Sequence, residues 1–432
     1  MQSRKNILIV ASLLGLGLGL GATGQTARFS GTPAKTPAKA RQSVPVKLTP
    51  QQKFVLDTVT LAVSLPQADP QDRLRVLSSA ANVVSPIDQK LAKGLWREGV
   101  RIESELIQLG KTPAVSLMSA GEADCASAQS FVENLPESSV VAAEQAIIGV
   151  VTTCPKQTVD IVSRRLSAAL EKKIVAPRAL MATAQALGVK SAWSQTNFEK
   201  MFSSLPDPTD SAGEAQNFAA MYARMATEVD KSTARKTGLE LLEWLGKSDD
   251  SPLRTLSVNI ANGAMKHALG DEGFREALHG NVVAESLVQN VQNAGSPGKV
   301  ERPPVESASV LSAMKNNGTD QGDRLRELPA SNRAREAAAH GFSAGTAGDK
   351  QQAAKYFDMA FAAVDEVWES RTPEQNTAAI VEEVSEAAAQ VDSVNALTRA
   401  QQLRDPSAEA IAMLAVARVV SSTGISTRQV TR

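Results

Sequence analysis

Apolar residues return every three or four positions along most of this chain. Ile87, Leu91, Leu95, Ile102, Leu106 and Leu109 make one stripe, and Val159, Val162, Leu166 and Leu170 a second. Ile380, Val384, Ala387, Val391, Val394 and Leu397 make a third. Steps of three, four or seven hold side chains on one face of an α-helix. No segment shows the strict two-residue alternation of an exposed strand. Prolines punctuate the stripes. Ten pairs (Thr49-Pro50, Asp69-Pro70, Ser85-Pro86, Thr112-Pro113, Cys154-Pro155, Ala176-Pro177, Asp207-Pro208, Ser251-Pro252, Thr372-Pro373 and Asp405-Pro406) each precede a helix-like run. In eight of them the first residue is Ser, Thr or Asp. Such a side chain accepts a hydrogen bond from an orphan N–H of the first turn, and Pro fits next because it has no N–H to leave unpaired. Between Pro50 and Pro177 these breaks, with Pro136, fall 16 to 27 residues apart. One helix fills each interval, and two make a hairpin of the size found in α-solenoids.

Two stretches interrupt the pattern. Residues 1–27 hold Arg4 and Lys5, an uncharged apolar run from Ile7 to Leu20, and then small residues. This is the layout of a secretory signal peptide, with an apolar run too short to span a bilayer comfortably. Residues 28–48, rich in Pro, Ala, Lys and Thr, have little to bury and read as a flexible spacer. Helical-repeat sequence then runs over 49–294. Gly295 to about Ala330 is dense in breakers (Ser296-Pro297-Gly298, Pro303-Pro304, Asn316-Asn317-Gly318), which places a linker at 295–331 and a smaller helical module at 332–432. The expected fold is therefore all-α: a helical-hairpin, solenoid-like body followed by a C-terminal helical module.

Within that module, Gly341, Ala353, Phe357 and Ala360 are spaced as the small and aromatic positions of a two-helix repeat, with Gly348 at the turn. Residues 334–367 resemble one tetratricopeptide hairpin. Ala337, His340, Ala344 and Asp365 depart from the usual Trp, Leu, Tyr and Pro of that motif, and the next 34 residues do not repeat it. The resemblance implies a scaffold that binds other proteins and supplies no catalytic residue.

Charge refines the picture. Eight basic residues (Arg4, Lys5, Arg28, Lys35, Lys39, Arg41, Lys47 and Lys53) precede the first acid, Asp57. The whole chain balances at 46 basic and 46 acidic residues, so everything from Asp57 onward has eight more acids than bases. A net acidic body with no basic stripe argues against nucleic-acid binding. The basic tail suits at most weak contact with anionic envelope polymer or lipid. Removal of the leader leaves no membrane span.

Candidate chemistry is thin. Gly246-Lys247-Ser248 ends like a phosphate-binding loop, but Leu241 stands where that loop needs Gly. His267, His279 and His340 do not form a ligand set, since Gly270 and Gly273 break the helix that would align the first two with Asp271. The acid runs Asp249-Asp250, Asp365-Glu366-Glu369 and Glu382-Glu383-Glu386 read as solvated faces. The four tryptophans, Trp96, Trp193, Trp244 and Trp368, read as packing residues. Cys125 and Cys154 are the two cysteines. An exported chain permits a disulfide between them. Helix arms measured from Pro136 differ by roughly 10 Å, which opposes one; the bridge stays open at this point. The expected function is an exported, cofactor-free, non-catalytic scaffold for protein–protein interaction, periplasmic or secreted. The competing expectation is a polysaccharide- or peptidoglycan-active hydrolase or lyase, recognised by a pocket with convergent carboxylates and aromatic walls.

Overall fold

The computed structural model describes residues 48–118, 125–208, 214–249, 251–295, 321–372 and 376–426, and among these there is helix, turn and loop but no strand. The leader and nearly all of the spacer lie outside them. Among the described residues no helix is long and apolar enough to cross a membrane.

Six of the ten marked prolines open an α-helix: α1 (Pro50–Ser64), α2 (Pro70–Val84), α6 (Pro155–Glu171), α7 (Pro177–Leu187), α11 (Pro252–Leu278) and α18 (Pro406–Ser426). Where the preceding residue has a side-chain oxygen, it caps. Thr49 accepts from Gln52, Asp69 from Gln71, Ser251 from Arg254, and Asp405 from Ser407 and Ala408. Cys154 and Ala176 make no such bond. Pro86 and Pro113 do not open helices. The helix expected after Pro86 is α3 (Gln89–Gln108), capped instead by Asp88 through Lys90 and Leu91. Leu109 falls after its last residue and is 73% exposed, so it drops off the stripe. The run expected after Pro373 is two helices, α16 (Thr377–Val391) and α17 (Ser393–Ala400). Asp392 caps the second by accepting from Val394 and Asn395, and the phase break leaves Val394 on the outside.

The remaining helices are α4 (Cys125–Glu133), α5 (Glu144–Thr153), α8 (Ala192–Phe202), α9 (Ala215–Met225), α10 (Lys231–Lys247), α12 (Val282–Gly295), α13 (Gln321–Arg326), α14 (Ala330–Thr346) and α15 (Lys350–Glu369). From α4 to α12, helices pack on the second-next, and in most cases also on the next: α4 on α6, α5 on α7, α6 on α8, and so on to α10 on α12. That order is what stacked hairpins give when no single hairpin can bury its own apolar face. Glycine sets two geometries in this stretch. Gly270 (φ 79°) kinks α11, and a Cβ on Gly238 would meet the Tyr222 hydroxyl at 2.5 Å.

Apolar burial cuts across chain order. One core joins α1–α3 to α13–α18. A second runs through α4–α12. At the end of α3, Leu106 belongs to the first and Ile107 to the second. The first three helices therefore share their core with residues more than two hundred positions away, rather than with the hairpins that follow them. The centre of that shared core is α18. Residues Ala410 to Ala417 are buried without a break. A helix apolar all round needs neighbours on every side, and α18 packs on α1, α2, α16 and α17. Gln51 on α1 donates to the carbonyl of Val420 at 2.6 Å, tying the two ends directly.

The α14–α15 hairpin has the packing its residues suggest. A Cβ placed on Gly341 would meet the Phe357 ring at 3.0 Å, Ala353 and Ala360 are buried, and Gly348 turns the chain with φ 87°. Of the departures, Ala337 is buried, while His340 stacks on Tyr356 with centroids 5.2 Å apart.

A candidate ligand groove along helix α2

Helix α2 has two faces. Leu74, Leu77, Ala80, Ala81 and Val84 are buried in the shared core. Gln71, Asp72, Arg75, Ser78, Ser79 and Asn82 recur at helical spacing on a polar side that lines two adjoining clefts of about 560 and about 390 Å³. Arg75 lines both. The far wall comes from the C-terminal helices: Trp368, Arg371, Thr377 and Ala378 in the larger cleft, and Glu382, Arg418, Ser421 and Ser422 in the smaller. The segment Thr112-Pro113-Ala114-Val115 borders both.

That segment is held by chemistry on two helices. The Gln71 side chain donates to the Thr112 carbonyl at 2.9 Å and accepts from the Ala114 N–H at 2.7 Å, so one amide reads both edges of an extended dipeptide step. On α3, Glu103 is fully buried and accepts from the Ser116 hydroxyl (2.5 Å) and from the Leu117 (3.0 Å) and Met118 (3.2 Å) N–H groups. One turn earlier, a Cβ on Gly99 would collide with Leu117. Gly99 and Glu103 together seat residues 116–118 and so fix the segment that borders the groove. Burial raises the Glu103 carboxyl pKa above its ordinary value, and the three donors only partly oppose this. A folded pKa above the unfolded one contributes stability at low pH that is lost as pH rises through the folded value. We predict that wild type loses stability relative to Glu103→Gln as pH is raised from about 4.5 toward 7. Thermal melts of both chains across that range check it; a constant difference would contradict it.

Charges in the groove are largely paired. Asp72, 5% exposed, bonds Arg371 at 2.8 Å, and the Arg371 guanidinium lies 4.3 Å from the centroid of the Trp368 ring. Arg418 bonds Glu382 and Glu386 at 2.8 and 2.6 Å. Asp69 serves as the cap of α2. Arg75 makes no hydrogen bond or ion pair among the described residues. On two residues that line the larger cleft, the Trp368 indole N–H and the Thr377 hydroxyl are buried and have no partner among the described residues.

The acid runs noted in the sequence are mostly ion-paired rather than merely solvated. Arg404 meets Asp365 and Glu369, Arg333 meets Glu366, Arg335 meets Glu383, and Arg418 holds the remaining two. Asp271 pairs with Lys266 at 2.8 Å, away from any histidine ligation. Trp96, Trp244 and Trp368 are buried, and Trp193 donates to Ser163 and Ser167.

Cys125 and Cys154 are bonded, with Cα atoms 5.4 Å apart. The arm-length objection fails because Pro136 is not the apex of a sharp turn. It precedes the 3₁₀ segment Glu137–Ser139, and the whole of 134–143 is connection. The α-helical arms, Cys125–Glu133 and Glu144–Thr153, are nearly equal, so the start of α4 lies beside the end of α5.

No protein-family model matches the chain, no curated protein matches its sequence, and no solved structure matches its fold.

Proposed function

We propose that the chain is an exported, non-catalytic helical-repeat scaffold for protein–protein interaction in the cell envelope or exterior, and that the α2 groove is where it holds its partner. The observation that carries this reading is the groove itself: a polar channel walled by helices from both ends of the chain, whose carboxylates are engaged in capping or ion pairs. Asp69 and Asp72 are the acids of the larger cleft, and both have structural work. That favours recognition over acid–base catalysis, which needs a carboxyl free to exchange a proton with substrate. Kinship with tetratricopeptide proteins belongs to the same proposal, supported by the seating of Phe357 on Gly341. Export is supported by the leader-like residues 1–27 and by the paired cysteines, which suit an oxidising compartment.

The test is affinity capture from an envelope extract with residues 28–432, comparing wild type with Ser79→Trp, which fills the groove with a bulky ring. The scaffold reading expects a protein held by wild type and reduced at least tenfold by the substitution, with melting temperature unchanged. Equal capture by both chains, or release of soluble fragments from envelope polymer by the purified protein, would contradict it.

A further inference from the structure

We infer that the α2 groove takes an extended polypeptide segment bearing a carboxylate, and that the carboxylate seats at Arg75. This deepens the scaffold reading and rests on it. Two kinds of donor in the larger cleft have no acceptor among the described residues, the Arg75 guanidinium and the Thr377 and Ala378 N–H groups that open α16, and behind the same wall the Trp368 indole N–H and the Thr377 hydroxyl have none either. Asn376 stands at the cap position of α16 but makes no side-chain capping bond. A helix start of this kind favours an anionic group. Trp368 and Thr377 are each 4% exposed, and unpaired polar atoms at that depth are uncommon unless something outside the chain satisfies them.

The charge balance selects the anion. Asp72 pairs with Arg371 and Asp69 caps α2, so Arg75 is the one guanidinium lining the larger cleft that has no partner among the described residues, and a doubly charged phosphate would keep a second charge uncompensated. A single carboxylate needs one free guanidinium, whose fork matches its two oxygens. The groove's length selects the rest of the ligand. From Pro70 to Val84, α2 runs about 22 Å, which is about six or seven residues of extended chain. Ser78, Ser79, Asn82 and Ser421 line the way from Arg75 with small donors and acceptors suited to a peptide backbone. A glycan is less well served, because the aromatic ring in the groove, Trp368, is buried and has Arg371 stacked on it.

The test is fluorescence anisotropy on the full chain with a panel of labelled heptapeptides built from Ser, Ala, Thr and Gly. Each carries one Asp or a free C-terminus, and each has a neutral, amidated counterpart. Acetate and inorganic phosphate serve as competitors. The inference expects saturable binding of carboxylate-bearing members, at least tenfold weaker binding of their neutral counterparts, and at least a tenfold loss with Arg75→Glu. Arg75→Met loses severalfold, while Arg224→Met, on α9, binds as wild type. Far-UV circular dichroism and melting of each variant show that loss of binding is not loss of fold. Equal binding of acidic and neutral peptides, no saturable binding by any member, or full binding by Arg75→Glu overturns the inference. So does displacement by phosphate where acetate has no effect. If Ser79→Trp abolishes capture from extract while Arg75→Glu does not, the scaffold reading stands and the carboxylate assignment falls.

Discussion

Replacing both cysteines with alanine should lower the stability of the α4–α12 core by about 3–4 kcal/mol, the chain-entropy value for a bridge closing a loop of this size. The bond joins residues 29 apart and pins the start of α4 to the junction of α5 and α6. Cys154 is buried in the second core, so alanine is the better replacement there because it adds no unpaired hydroxyl. Trp193 and Trp244 report on that core, whereas Trp96 and Trp368 lie in the other. Urea unfolding of Cys125→Ala/Cys154→Ala, with single-tryptophan versions as probes, should shift the first pair's transition and leave the second pair's nearly in place. A loss under about 1 kcal/mol would show that the α4–α5 connection is ordered without the bond.

The second large effect is expected at Phe357. Its ring fills the space left by Gly341 and is 3% exposed. Truncation to alanine removes that ring and leaves a cavity, which costs about 3–5 kcal/mol in a well-packed core. Alanine at Gly341 should be milder, since the added methyl sits at 3.0–3.1 Å from a ring that has little room to move. Reversible unfolding by urea, followed by Trp368 fluorescence, measures both.

Helix starts were the most legible part of the fold, because capping is local. Thr49, Asp69, Ser251 and Asp405 cap as an oxygen before a proline should. The failures are also local in origin. At Ser85-Pro86 the chain holds a nearby alternative, Asp88, and the helix starts there. Asp230, Asp349 and Asp392 cap without any proline behind them. The signal in those cases is an Asp ahead of a helical run, with no proline to mark it. The meeting of chain ends had no local signature at all. One clue was present: from Pro406 to Val420 polar side chains are too few to make a solvent face, which marks α18 as a helix needing neighbours on every side. Which helices would supply them is a matter of long-range packing, not of sequence periodicity.

The candidate site divides the same way. Its near wall was readable, since Gln71, Arg75, Ser78, Ser79 and Asn82 fall on one side of a predicted helix. Its far wall was not, because Trp368, Thr377 and Ser421 arrive from about three hundred residues later. Arm length does decide whether Cys125 and Cys154 can meet, and it is measured from a broad connection and not from Pro136. Ten residues, 134–143, connect the two helices in place of a tight turn at Pro136.

The groove exists only if α1–α3 and α13–α18 form one core, and hydrogen exchange on Phe357→Ala tests that most directly. Helices that share a core open together, and a local destabilisation lowers protection throughout the unit. The shared core predicts that α1 and α2 lose protection along with α14–α18, while α5–α10 exchange as in wild type. Wild-type protection in α1 and α2, with loss confined to α14–α18, would contradict it.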